Sequence, residues 1–237
     1  METNYLDFVL VPLGLAVMIG YHLWLLDRVR RRPKQTVIGI NAVNRRMWDP
    51  IKNGVLAVQT LRNNIMASTL MASTAIMLCS LITVLMTGGG GGCGGGDAAQ
   101  HGLLVGNTSL TGLSLKFLAI LLCFLAAFLL NVQSVRYYSH ASILINVPLR
   151  CRWQQRTSPE YVARAVNWGS YCWSLGLRAC YFSLPLFLWV FGPIPMLGCC
   201  LVLVVMLYFL DIYSDWGEGD DAGGEEAEME WVVGEHS

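Results

Sequence analysis

Three long stretches of this chain carry almost no charge, and they limit the chain to one class of fold. Ile65–Met86 and Phe117–Val135 contain no charged residue, and Leu6–Leu26 contains one acidic residue and one histidine. About 20 apolar residues in a helix cross the hydrocarbon core of a bilayer. Because backbone groups in lipid must hydrogen-bond within their own segment, we predict helices here. The sequence therefore predicts an all-α, polytopic helical membrane protein, with a transmembrane domain over residues 1–212.

The number of spans depends on a fourth charge-free block, Ala179–Leu210. This block contains "FGPIP" at 191–195, and a Gly-Pro pair normally ends a helix. A single kinked span would make four spans and leave the tail outside, whereas a hairpin would make five and return the tail to the cytosol. We favour four because each half of a hairpin would be short for a bilayer. The four spans are predicted near residues 6–26, 65–86, 115–135 and 183–210.

Basic residues are concentrated in two segments, and this distribution predicts the topology. Asp27 to Asn64 holds nine of the sixteen Lys and Arg residues, and six more follow the third span. Short loops rich in Lys and Arg stay in the cytosol. Both segments are therefore predicted to be cytosolic, with the N-terminus and the Gly-rich loop at 87–112 outside. The acidic tail at 213–237 is predicted to be disordered.

Two residues in the predicted loops are candidates for modification. Asn107 opens an Asn-Thr-Ser sequon in the external loop, which suits glycosylation. Cys151 lies beside two arginines at the cytosolic face and is a candidate for palmitoylation. No catalytic residue, metal ligand or cofactor is predicted.

A polar cluster at the cytosolic end of the third span is the first half of our candidate site. Gln133, Arg136, Tyr137 and His140 share one helix face because they lie at i, i+3, i+4 and i+7. Arg136 would hold an anion such as a lipid phosphate. The alternative is an interfacial belt, in which tyrosines anchor at the headgroups and arginine extends to them.

The second half of the candidate site is the polar entry to span two. Arg62, Asn63 and Asn64 share a membrane depth with the first cluster, so we expect the two sets to face each other at the inner rim. A transporter would instead line a polar path with Ser73 and Thr74.

Four motifs in this order resemble a known family. The words "INAVNRRMWDP", "QTLRNNIMAST", "VRYYSHASILINVP" and "LPLFLWVFGPIPM" resemble a family of plant integral membrane proteins that is catalogued as a domain of unknown function. Distant bacterial members also exist. The resemblance covers roughly residues 5–212 and implies a multi-span helical protein without an established activity.

These features favour a lipid-contacting scaffold or partner-binding module with a basic cytosolic face. Its expected partners are membrane lipids, above all the anionic inner leaflet, together with a protein partner or a second copy of the chain; no nucleic acid is expected. A plasma-membrane or endomembrane location follows. The alternatives are a small oligomeric transporter or channel, and a membrane-bound lipid or redox enzyme.

Overall fold

The computed structural model describes residues 2–45, 54–88, 110–145 and 159–212, and these form six α-helices. The helices are α1 (Glu2–Arg31), α2 (Val37–Asn44), α3 (Gly54–Gly88), α4 (Leu110–Ile145), α5 (Pro159–Phe191) and α6 (Pro193–Asp211). All except α2 are long and apolar enough to cross a membrane, which makes five candidate spans. The all-α polytopic class is confirmed.

The block at 179–210 is divided into two helices, each long and apolar enough to cross a membrane, so the described residues favour the five-span alternative over the predicted four. Gly192 separates α5 from α6, and Pro193 occupies the first turn of α6. Proline has no N–H to donate, so the carbonyl of Trp189 loses its helical partner. Lys116 Nζ of α4 lies 3.2 Å from that carbonyl oxygen and donates to it. The first half of the hairpin is long enough because α5 begins at Pro159, well before the charge-free block.

Side-chain contacts show that the chain reverses at Gly192. Arg178 Nη2 lies 2.7 Å from Asp211 Oδ1. In one continuous helix these residues would be about 50 Å apart, at 1.5 Å per residue. Helix α6 also runs parallel to α1, because Gly14 packs beside Cys200 while Tyr21 donates to Asp211 at 2.7 Å. Both helices therefore finish at the same end of the bundle, which we call the inner end.

Helices α3, α4 and α5 alternate in direction, and the bundle is held together by two clusters of buried apolar side chains. The upper cluster lies within the spans and includes Met18, Ile120 and Met196, all fully buried. The lower cluster joins α3, α4 and α5 near the inner end and is built around Leu61 and Tyr138. This second cluster continues the bundle beyond the inner ends of α1 and α6.

The direction of α6 leads to a prediction about topology. A tag at the C-terminus is expected on the same side of the membrane as the segment between α1 and α3, and a tag at the N-terminus on the opposite side. Positively charged loops place the former side in the cytosol. Protease protection of the tags in sealed and permeabilised membranes would measure this. Detection of both tags on one side would contradict five crossings.

Candidate functional site

A cavity of about 330 Å³ lies at the inner end, where α3, α4, α5 and α6 meet α2. Its lining combines polar and aromatic side chains from all five of these helices with a few apolar ones. The lining residues are Val37, Ile38, Asn41, Arg45, Asn64, Tyr138, Ser170, Trp173, Ser174, Leu177, Arg178, Tyr181, Leu207, Leu210 and Asp211. The volume is at the lower end of the range of small-ligand sites, and the polar side chains converge on it as they do in such sites.

An ion pair between α5 and α6 forms one wall of the cavity. The side chains of Arg178 and Asp211 are each 12% exposed. Tyr21 of α1 donates to the other carboxylate oxygen, so both oxygens of Asp211 have a partner. Charged groups at membrane depth are costly and are retained where they pair or face a polar cavity. Arg178 and Asp211 pair with each other and also face the cavity. Together with Tyr21, the pair joins α1, α5 and α6.

Helix α2 covers the cavity, and its position follows from local backbone chemistry. Thr36 caps the helix by accepting a hydrogen bond from the Gly39 N–H at 3.3 Å. Gly39 packs so closely on the carbonyl of Pro33 that a Cβ atom there would collide with it. Thr36 also forms an antiparallel bridge with Ile212, just after α6. The start of α2 is therefore held against the end of α6.

Arg45 follows α2 and brings a second guanidinium to the cavity. Its Nη1 donates to Asn167 Oδ1 of α5 at 3.2 Å, and Asn167 donates back to the carbonyl of Ala42 at 3.4 Å. Burial lowers the pKa of the Arg45 guanidinium, because desolvation disfavours the charged form. An anion placed beside it would offset that cost.

Two buried donors in the cavity lining lack partners. Within the described part of the chain, neither Arg178 Nη1 nor Trp173 Nε1 has a hydrogen-bond partner. A buried donor without a partner costs about 1–3 kcal/mol, and more when it is charged. Both residues line the cavity.

The residues that the sequence predicts on α4 lie around the cavity rather than in it. Arg136 and His140 are exposed, while Gln133 and Tyr137 are half-buried. His140 Nε2 lies 3.4 Å from the hydroxyl oxygen of Tyr161 on α5. The buried residues of α4 belong to the adjacent face.

On α3, Arg62 and Asn63 are exposed and Asn64 is half-buried. All seven predicted site residues lie in the described part of the chain, and of these Asn64 is the one that lines the cavity. The predicted meeting of the two sets across the inner rim stays a prediction. Ser73 and Thr74, the proposed lining of a transport path, are exposed and donate to carbonyls of their own helix.

The adjacent face of α4 makes the polar contacts between helices. Ser134 donates to the carbonyl of Gly169 on α5 at 2.8 Å and lies 3.3 Å from the Ser68 hydroxyl of α3. Tyr138 is 2% exposed and packs on Gly169. Interhelical hydrogen bonds and small residues are the usual means of packing helices in lipid. This face therefore both positions the cavity and holds α3, α4 and α5 together.

Sequence reasoning missed the residues that build most of the cavity. From the sequence, Arg178 is one of six basic residues that follow the third span, and Asp211 lies within the predicted transmembrane domain without an assigned role. The available signal was their opposite charge at the two edges of apolar stretches, since ionisable residues at membrane depth usually have a partner. The predicted modification sites Asn107 and Cys151, residues 89–109 of the Gly-rich loop predicted at 87–112, and the acidic tail lie outside the described residues, while residues 87–88 and 110–112 belong to the ends of α3 and α4.

Comparison with known proteins gives one match. Residues 9–216 match the model of a family described as "Protein of unknown function, DUF599". No curated protein and no solved structure matches the chain.

Proposed function

This chain belongs to the DUF599 family of proteins of unknown function, and we propose that it is a lipid-contacting membrane protein whose basic inner end holds anionic lipid in the cytosolic leaflet. It has several helices apolar enough to span a membrane, and its activity is unknown.

The observation that carries this proposal is the set of exposed cations at the inner end. Helix α1 finishes in three arginines, and the 3₁₀ turn that follows it adds a lysine. Four exposed cations lie in this short segment: Arg30, Arg31, Arg32 and Lys34. Each basic residue near an anionic leaflet contributes about 1 kcal/mol of attraction.

The local pairing of these cations leaves them available to lipid. Arg31 Nε lies 2.7 Å from Asp27 Oδ1, but both side chains are largely exposed, at 78% and 57%. Such surface pairs contribute at most about 1 kcal/mol, so lipid phosphates compete with them readily. Further cations are exposed on the inner halves of the other helices, at Arg62, Arg136 and Arg164.

Neutralising part of this segment is expected to reduce selectivity for anionic lipid. In the triple variant Arg30→Gln, Arg32→Gln and Lys34→Gln, the preference for phosphatidylserine over phosphatidylcholine should fall about 3- to 10-fold, since about 1 kcal/mol is lost per cation and salt screens part of it. Spin-labelled lipids in reconstituted vesicles would measure the preference.

The matched control keeps the charge and changes the residue: Arg30→Lys, Arg32→Lys and Lys34→Arg. This control should retain the preference of the unmodified protein, and 0.5 M salt should reduce both to the level of the triple Gln variant. A protein with no preference for phosphatidylserine, or a triple Gln variant that retains it, would refute the proposal.

A further inference from the structure

The cavity at the inner end carries an unbalanced positive charge. Two guanidinium groups and one carboxylate line it, from Arg45, Arg178 and Asp211. The carboxylate is already engaged by Arg178 and by Tyr21. The hydrogen-bond partner of Arg45 is the neutral amide of Asn167. Among the residues that the structure describes, one positive charge is therefore left without a counter-ion in a partly buried site, which favours an anion.

The free donors of the cavity suit an oxygen-rich anion. Arg178 Nη1 and Trp173 Nε1 are buried and, within the described residues, without a hydrogen-bond partner. These two residues lie five positions apart on α5, and both line the same cavity. A phosphate oxygen accepts hydrogen bonds from guanidinium and indole N–H groups, and charge-assisted bonds of this kind are stronger than neutral ones.

The cavity also has an apolar side that leads to the outer surface of the bundle. Leu207 is buried in its wall, whereas Leu210, one turn further along α6, is 60% exposed. Both line the cavity. A free phosphate ion would make no apolar contact with this side of the cavity, whereas an acyl chain leaving the cavity would cover it.

We propose that this cavity is a binding site for one anionic lipid, whose phosphate headgroup contacts Arg178, Trp173 and Arg45 and whose chains leave past Leu207 and Leu210. The inference rests on the proposed function, because an anionic leaflet supplies the ligand. The cavity site differs from the proposed function in stoichiometry, since the exposed cations contact many exchanging lipids while the cavity holds one.

The test uses the full chain in a neutral detergent, titrated with dioctanoyl phosphatidic acid and followed by native mass spectrometry and calorimetry. We expect saturable binding of one molecule. Dioctanoyl phosphatidylcholine should bind at least 10-fold more weakly, because its zwitterionic headgroup has no net negative charge to balance the charge of the cavity. Inorganic phosphate should compete only weakly, because it leaves the apolar side uncovered.

Two variants of the cavity and one control test the assignment. Trp173→Phe removes a donor that has no partner among the described residues, so it should weaken phosphatidic acid binding about 10-fold while removing none of the hydrogen bonds seen in the structure. Arg178→Lys keeps a positive charge beside Asp211 but has no planar fork, and should weaken binding at least as much. The control, Trp168→Phe, is the same change on α5 at a side chain that is 54% exposed, and should bind normally.

The possible outcomes separate this inference from the proposed function. One-to-one binding that is about 10-fold weaker or more in both cavity variants, with the phosphatidylserine preference of the vesicle assay retained, supports the site. Absence of saturable binding, or equal binding by Trp173→Phe and Trp168→Phe, overturns the site and leaves the proposed function standing. Equal affinity for inorganic phosphate and phosphatidic acid overturns the lipid assignment. If the protein without substitutions shows no preference for phosphatidylserine in the vesicle assay, the proposed function is overturned instead.

Discussion

Replacing Arg178 with methionine is expected to destabilise the folded protein by about 3–5 kcal/mol, because Asp211 would keep a buried charge with no counter-ion. The two side chains are in contact at 2.7 Å and each is 12% exposed. Water can do little to compensate at this depth. Thermal unfolding in detergent, followed by the intrinsic fluorescence of the tryptophans, would measure the loss.

The matched control is Arg164→Met, the same substitution on the same helix. Arg164 Nη2 lies 3.5 Å from Glu160 Oε1, but the two side chains are 66% and 70% exposed. An exposed pair of this kind contributes about 0–1 kcal/mol, so this variant should unfold almost as the unmodified protein does. Equal losses in the two variants would show that burial of the Arg178 pair contributes nothing.

A rescue variant separates charge from packing. Asp211→Asn added to Arg178→Met removes the unpaired charge and keeps an acceptor for the hydroxyl of Tyr21. Much of the stability should return, because a buried pair removed as a whole costs far less than one broken by removing a single partner. A double variant as unstable as Arg178→Met would assign the loss to packing of the arginine stem.

Replacing Gly176 with alanine should be the second most damaging change. A Cβ atom at Gly176 would lie 2.6 Å from Asn131 Nδ2 and 3.4 Å from the carbonyl oxygen of Ala127. Asn131 is fully buried and donates to that same carbonyl at 2.8 Å. Strain of about 1–3 kcal/mol is expected from the overpacking, and loss of the buried hydrogen bond would add to it.

Gly198→Ala is the matched control, because a Cβ atom there would meet nothing within 4 Å. It should leave stability unchanged or raise it by up to about 1 kcal/mol through helix propensity. Asn131→Ala combined with Gly176→Ala should recover part of the loss, since the two sites are in contact and their effects are not additive. Additive losses would mean that the Cβ atom added at position 176 does not clash with Asn131.

Most of the helices of this protein can be predicted from the sequence, and so can the break at Gly192. Runs without charge report on the solvent they must enter, and α1, α3 and α4 each contain one of these runs. What could not be read was whether the chain from Pro159 onward supplies enough helix for a separate span. This part of α5 carries Arg164 and Arg178, and composition alone does not show that it belongs to a span. The predicted four spans are therefore one fewer than the five candidate spans.

The sequence does not show which face of α4 turns inward. Periodicity predicts that Gln133, Arg136, Tyr137 and His140 share one face of the helix, but this grouping does not say whether that face is buried. Ser134 and Tyr138 turn inward because Gly169 of α5 leaves room for the ring of Tyr138 and offers a carbonyl to Ser134. That complementarity between two helices is absent from either helix considered alone.

Hydropathy was sufficient to predict helices that can span a membrane, and the distribution of arginines predicts the side on which the basic end lies, because both depend on transfer of single segments out of water. The pairing of Arg178 with Asp211, the close approach of α4 to α5 and the cavity beneath α2 all depend on which helices are neighbours. They became visible only with the packed bundle, since contacts between residues far apart in the chain depend on shape and on the satisfaction of buried polar groups.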